Sequence, residues 1–240
     1  MPIDEIEIPG TSVSFRCLTF KTDAIPELFE RIGSEGEQFS IEPENPGFHD
    51  FDTNKRMIRG FYSMVVPFEV EHIIEGIVTK TLFKRVETCE FFALPEILFV
   101  SGKTGPQKVL ERVFASLTGY GTAPLEFEFR QMSQFQDRLS MVKSIALTNP
   151  KDREVRRARL AGRIESYMEY NVIDPRNHGI ESVSGLIDSP LGPVTITTSR
   201  KGGLRLNVRK GFILTMDCLM WLLAIIRDEK PPENFVAKAT

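Results

Sequence analysis

The stretch from Arg56 to Val100 constrains the fold more than any other part of the chain. It is dense in Val, Ile, Phe and Thr, residues that fit a pleated, half-buried surface. Breaks at Pro67, Lys80 and Pro95 divide it into strands at about 57–66, 68–79, 81–87 and 91–100. Their connections are too short for the crossovers that parallel strands need, so the expected pairing is antiparallel.

Before this block, Val13 to Phe20 alternates as a strand. Thr22 and Asp23 open a short helix through Ile32, with Pro26 early in it. Gly33 to Thr53, with Pro43, Pro46 and Gly47, reads as a long exposed loop. After the block, a helix over 106–118 ends at Gly119 and Gly121. Leu125, Phe127 and Phe129 alternate with Glu126 and Glu128 as a strand, and a short helix follows at about 131–138. Asn149-Pro150 marks a boundary. Lys151 to Tyr170 reads as the longest helix, and strands at about 179–188, 194–199 and 204–209 lead to an apolar helix over 216–228.

The fold class expected from this order is α+β, with mostly antiparallel sheets each covered by helices. Two similar subdomains are expected. Residues 1–148 hold the acidic start, the central sheet and helix 106–118; residues 151–230 hold the Arg-rich helix, a sheet and helix 216–228. A polar tail, 231–240, follows. The similarity rests on an echo between Ile97–Leu117 and Leu204–Ile226, each running strand, Gly-containing turn, apolar helix.

Composition removes several classes of function. Cys17, Cys89 and Cys218 are far apart and none lies in a Cys-x-x-Cys, so neither a disulfide framework nor a zinc site has its count or spacing. Buried reduced thiols in a cytoplasmic protein are expected. The first residues are acidic rather than basic and then apolar, unlike a signal peptide. The most apolar stretch, Phe212 to Ile226, is shorter than the roughly 20 residues needed to cross a bilayer. The net charge of −3 hides a gradient. Residues 1–54 carry twelve acids and three bases, a balance of −9; residues 151–212 carry twelve bases and seven acids, a balance of +5. Such a split marks a basic binding face, or two parts of one molecule that attract each other.

Gly102-Lys103-Thr104, between a strand and a helix, has the context of a nucleotide-binding P-loop. That loop needs a glycine where this chain has Ile97, and Pro106 removes one N–H from the phosphate cradle. A helix capping box of Thr104 with Gln107 explains the same residues. Lys103 remains the residue that would meet a phosphate at this helix start.

Arginines supply the stronger signal. On a helix over 151–170, Arg156, Arg159 and Arg163 fall within about 60° of one another, with Leu160, Ile164 and Met168 on an apolar stripe. Arg200-Lys201-Gly202-Gly203 reads as a basic hairpin turn, and Arg205 and Arg209 share a strand face beyond it. Together these residues suit a nucleic-acid backbone or an acidic partner. A solvated face and a plain hairpin turn are the bland alternatives. The carboxylates Asp50, Asp52, Glu69 and Glu71 would hold Mg²⁺ if they converged; an acidic loop beside a polar sheet face also accounts for them. His178 reads as a turn residue. Trp221 would anchor an interface if the last helix packs against another chain.

The expected function is that of a non-enzymatic binding protein in a complex, through a basic surface that meets an acidic protein or a nucleic-acid backbone. Another protein or self-association is the expected partner, with no membrane and no cofactor. Two competitors stay open: a Mg²⁺-dependent nuclease or phosphoesterase on those four carboxylates, and a nucleotide-binding protein through Lys103.

Overall fold

The computed structural model describes residues 2–8, 10–22, 24–74, 77–149, 156–164 and 178–231. In chain order its elements are β1 (Glu5–Glu7), β2 (Ser12–Thr19), α1 (Ile25–Ser34), β3 (Gly47–Thr53), β4 (Ile58–Ile74), β5 (Ile77–Ala93), β6 (Ile97–Gly102) and α2 (Thr104–Thr118). They continue with β7 (Ala123–Pro124), α3 (Phe129–Asp137), β8 (Met141–Thr148), β9 (Arg157–Ile164), β10 (Gly179–Ser189), β11 (Gly192–Ser199), β12 (Gly203–Asn207), β13 (Ile213–Thr215) and α4 (Met216–Arg227).

The expected α+β class, with separate antiparallel sheets each covered by helices, is overturned. The chain is mostly β: half strand, 22% helix, with eleven strands in one antiparallel order. That order is β3-β4-β5-β6-β2-β12-β11-β10-β8-β9, with β7 beside β2; β1 pairs β13 separately. The excess of strand comes from a loop that is β3 and an Arg-rich helix that is β9; the four strands expected over 57–100 are three, the long β4 and β5 and the short β6. The chain forms two compact units, one from Leu18–Ala123 and one from Met1–Cys17 with Pro124–Thr240. These divisions fall inside β2 and before Pro124, whereas the sequence placed its boundary at Asn149-Pro150.

In the unit of Leu18–Ala123, β4 and β5 pair without a register break from Ile58 opposite Ala93 to Ile74 opposite Ile77. Pro67 does not interrupt them. It sits opposite Lys84 in a stretch that no other described strand flanks, so its missing N–H costs no ladder bond on an outer side. Lys80, expected at a break, pairs with Glu71. β3 joins the base of β4, and β6 joins the base of β5. Phe48 of β3, Phe91 of β5 and Phe114 of α2 meet edge to face, with ring centroids 5.3–6.0 Å apart. Ile25, Leu28 and Ile32 of α1 and Leu110 and Leu117 of α2 complete that core.

The Gly102-Lys103-Thr104 segment is the turn from β6 into α2. Thr104 is the first helical residue rather than the cap, and Lys103 holds the cap position without a side-chain bond. The expected capping box does not form; Gln107 Nε2 instead donates to the Gly102 carbonyl at 3.1 Å. Gly102 has φ +105°, and a Cβ there would lie 2.7 Å from the Thr88 carbonyl oxygen. Both facts require glycine.

In the other unit the order is β2-β12-β11-β10-β8-β9. Ile145, Leu147, Ile180, Val183, Ile187, Val194, Ile196, Leu204 and Leu206 alternate inward and are buried. α3 runs close on β10. A Cβ on Gly185 would lie 2.7 Å from Leu139, so glycine lets the connection from α3 to β8 approach that strand. α4 starts where expected: the Thr215 hydroxyl accepts the Cys218 N–H at 3.2 Å, and Leu219, Leu222, Leu223 and Ile226 are buried. Gln131 ties α3 to α4, accepting the Glu128 N–H through Oε1 and donating to the Arg227 carbonyl through Nε2.

The Arg-rich segment is the sharpest local correction. Residues 157–164 are the strand β9, paired antiparallel with β8. The rest of the proposed helix, 151–155 and 165–170, lies outside the described residues. Arg156, Arg159 and Arg163 satisfy helical spacing. The same segment also alternates Arg157, Ala158, Arg159, Leu160, and pairing with β8 selects that period.

Candidate functional site

The open side of β9, β8, β10, β11, β12 and β2 forms the candidate site. Register fixes which residues share it, because residues opposite each other in adjacent strands point to the same side. One row runs Ala161, Ser144, Ser184, Thr197, Arg205, Ser14, from β9 to β2. The next runs Arg159, Ala146, Ser182, Ser199. A third holds Leu186, Thr195, Asn207 and Ser12. Alternation adds Arg157 beside Thr148 and Arg16 beside Gly203. All of these positions are exposed or half-buried, while their strand neighbours Ile145, Val183, Ile196 and Leu206 are buried.

This side is a floor of hydroxyls bordered by guanidinium groups. Arg157 and Arg159 line one border, and Arg205 and Arg16 stand near the other. At about 4.8 Å between strands, the borders lie roughly 20 Å apart. Lys143 Nζ donates to Thr195 Oγ1 at 3.0 Å, and Thr197 Oγ1 donates to Ser184 Oγ at 2.8 Å. Of the acids near this side, Asp188 sits opposite Pro193 at the end of β10, and Glu181, at an irregularity between Ile180 and Ser182, lines a cleft with Arg157 and Arg159. None of these strand positions carries an aromatic side chain, but the ring of Phe129, 40% exposed, lies against Gly179, which is opposite Thr148.

The seven basic residues picked from sequence are not one ridge. Arg159 and Arg205 share the open side. Arg156 precedes β9, and its carbonyl accepts the Asn149 N–H at 2.9 Å. Arg163 lies past a shift in the β8–β9 register, beside Gly162 at φ +125°. Arg200 is engaged elsewhere: its guanidinium carbon is 4.8 Å from the Phe129 ring centroid, and Nε is 3.6 Å from Glu181. Lys201 is exposed on the β11–β12 turn, and Arg209 is exposed beyond β12. Sequence reasoning missed Arg157, Arg16, Lys143 and the Ser/Thr floor. Alternating Ser and Thr over 182–184, 195–199 and 12–14 was the available signal.

The four carboxylates considered for Mg²⁺ are not gathered. Asp50 pairs with its neighbour His49, Asp52 with the Thr53 N–H, and Glu69 and Glu71 with Lys80. Among the described residues no group of three His, Cys, Asp or Glu side chains is placed to hold a metal. Lys103 is exposed at the start of α2, and Trp221 is half-buried on α4. His178 is buried. No described helix is long and apolar enough to cross a membrane.

One arrangement that the sequence did not announce has the donors of a hydrolytic relay. Asp50 Oδ2 lies 2.9 Å from His49 Nδ1, and His49 Nε2 lies 2.8 Å from Ser63 Oγ. A nucleophile must also be open to an acyl carbon. Ser63 is 1% exposed, and its oxygen also bonds Thr88 Oγ1 at 2.7 Å. The chain of bonds satisfies a buried hydroxyl between β3, β4 and β5, which is a structural role.

The three cysteines are free and buried. Burial pushes the Cys17 and Cys89 thiols up to about 12 and Cys218 up to about 11. A thiol held protonated is a poor nucleophile and a poor metal ligand. No protein-family model matches the sequence, and no curated protein matches it.

Proposed function

We propose that this chain is a non-enzymatic binding protein that takes a nucleic-acid backbone on the open side of β9, β8, β10, β11, β12 and β2. The observation that supports the reading is the shared register that sets Arg157, Arg159 and Arg205 around a floor of Ser and Thr. Guanidinium groups make bidentate contacts with phosphate, and hydroxyls add neutral donors to phosphate and sugar oxygens. The floor offers hydroxyls and guanidinium groups rather than a row of rings on which to stack successive unpaired bases, which favours a duplex backbone over a single strand. We place the protein in the cytoplasm, in keeping with three free thiols.

Fluorescence anisotropy with a labelled duplex tests the reading. Binding at 50 mM salt should weaken steeply by 200 mM salt. The double variant Arg159→Glu with Arg205→Glu should lower affinity at least tenfold, and the slope of log affinity against log salt should fall by about 2, roughly 0.9 per lost phosphate contact. No binding at low salt, or binding indifferent to salt and to this variant, refutes it. If polyglutamate displaces the duplex at equal charge concentration, the acidic-protein reading takes its place.

A further inference from the structure

Beyond its base, the β4–β5 pair runs on as a two-stranded ribbon. β3 accompanies β4 only as far as Ser63, and β6 accompanies β5 only from Cys89. From Met64 opposite Glu87 to Ile73 opposite Val78, no described strand flanks either side. A lone ribbon is marginal in water, and long free edges invite pairing. One side of this ribbon carries Ile73 at 73% exposure, Val78 at 62%, Leu82 at 67% and Val86 at 46%. Its charges are already matched. Lys80 Nζ lies 2.7 Å from Glu69 and 3.0 Å from Glu71, and Lys84 pairs with Glu44. What is left without a partner is aliphatic.

Along β5 that side reads Val78, Lys80, Leu82, Lys84, Val86, the same in both directions about Leu82. Pro67 supplies the orientation of the backbone. Having no N–H, it fits a rung whose main-chain groups point away from the partner strand. Its partner is Lys84, so alternation turns the N–H and C=O of Val78, Lys80, Leu82, Lys84 and Val86 toward the free edge of β5. The free edge of β4, by contrast, lacks a donor at Pro67.

We infer that the occupant of this edge is a second copy of the chain, its β5 paired antiparallel with the first about a two-fold axis at Leu82. Leu82 then lies opposite Leu82 of the second copy, and each Val78 lies opposite a Val86. Each Lys80 meets a Lys84, and both already have carboxylate partners within their own copy, Glu69 and Glu71 for Lys80 and Glu44 for Lys84. Two ribbons become one four-stranded sheet, and the contact is isologous and closes on itself. The inference is independent of the nucleic-acid reading.

Light scattering should report twice the 27.2 kDa chain mass. Leu82→Cys should give a covalent dimer under mild oxidation, because residues opposed on a hydrogen-bonded rung have Cα atoms about 5.5 Å apart, within disulfide reach. Ile73→Cys, equally exposed on the same side but carried by β4, should give none. The native thiols are buried and do not compete. Leu82→Asp should halve the mass and leave the circular dichroism unchanged, since that side chain is exposed in the single chain. A monomeric wild type, a larger open assembly, cross-linking by Ile73→Cys as efficient as by Leu82→Cys, or a Leu82→Asp dimer each overturns the inference.

Discussion

Two strands show how differently the two units use one alternating backbone. β6, in the unit of Leu18–Ala123, is buried at five successive residues, Ile97 to Ser101. β11, in the other unit, buries Val194, Ile196 and Thr198 and leaves Thr195, Thr197 and Ser199 half-open. Around β6 both sides of the strands are sealed, by Ile58, Tyr62 and Phe91 on one side and Phe92, Phe99 and Ser63 on the other. Around β11 one side is sealed and the other carries hydroxyls and arginines. A strand closed on both sides is occupied with holding the fold; a strand with a polar side is free to meet a ligand.

Substitutions can break this comparison. Phe48→Ala, in the sealed unit, should cost the most, about 3–5 kcal/mol in urea unfolding, because its ring is 0% exposed among Tyr62, Phe91 and Phe114. Next come two neighbours on β11. Ile196→Ala should cost about 2–5 kcal/mol, and Thr197→Ala no more than about 1 kcal/mol. Equal costs at 196 and 197 would mean that the open side is covered, and the comparison would fail. The smallest effect concerns the thiols. Burial raises Cys17, Cys89 and Cys218 from an ordinary 9.0 to about 12, 12 and 11. The unfolded chain therefore ionises first, so their contribution to stability is complete below pH 9 and is lost as pH rises through 11–12. At pH 8 none of the three should react with a thiol reagent until denaturant is added.

Much of the molecule was legible where signals are local. The apolar run over 216–228 announced α4, and the Val, Ile and Phe density of 56–100 announced antiparallel strands. Signals failed where a segment satisfied two periods or where a partner decided. Arg156, Arg159 and Arg163 fit a helix as well as Arg157, Arg159 and Leu160 fit a strand, and only β8 settles the choice. Phe48 and Phe51 lay in a stretch whose prolines and glycines read as loop, yet β4 draws Gly47–Thr53 into pairing. The site was half-visible for the same reason. Arg205 and Arg159 could be named, but they share a side only through β10 and β11, and no local spacing encodes which strands lie between them.

The path of the chain through these units sets an order of events during synthesis. Residues 18–123 are contiguous, so their core has every part it needs once Ala123 has left the ribosome. The other unit needs both ends of the chain. Ile6 waits for Leu214, and Phe15 waits for Leu204, roughly two hundred residues later. Until then Val13, Phe15 and Cys17 have no strand to pair with on the β12 side. The segment of β1 and the first part of β2 is thus placed late and is open to capture by a chaperone while translation continues.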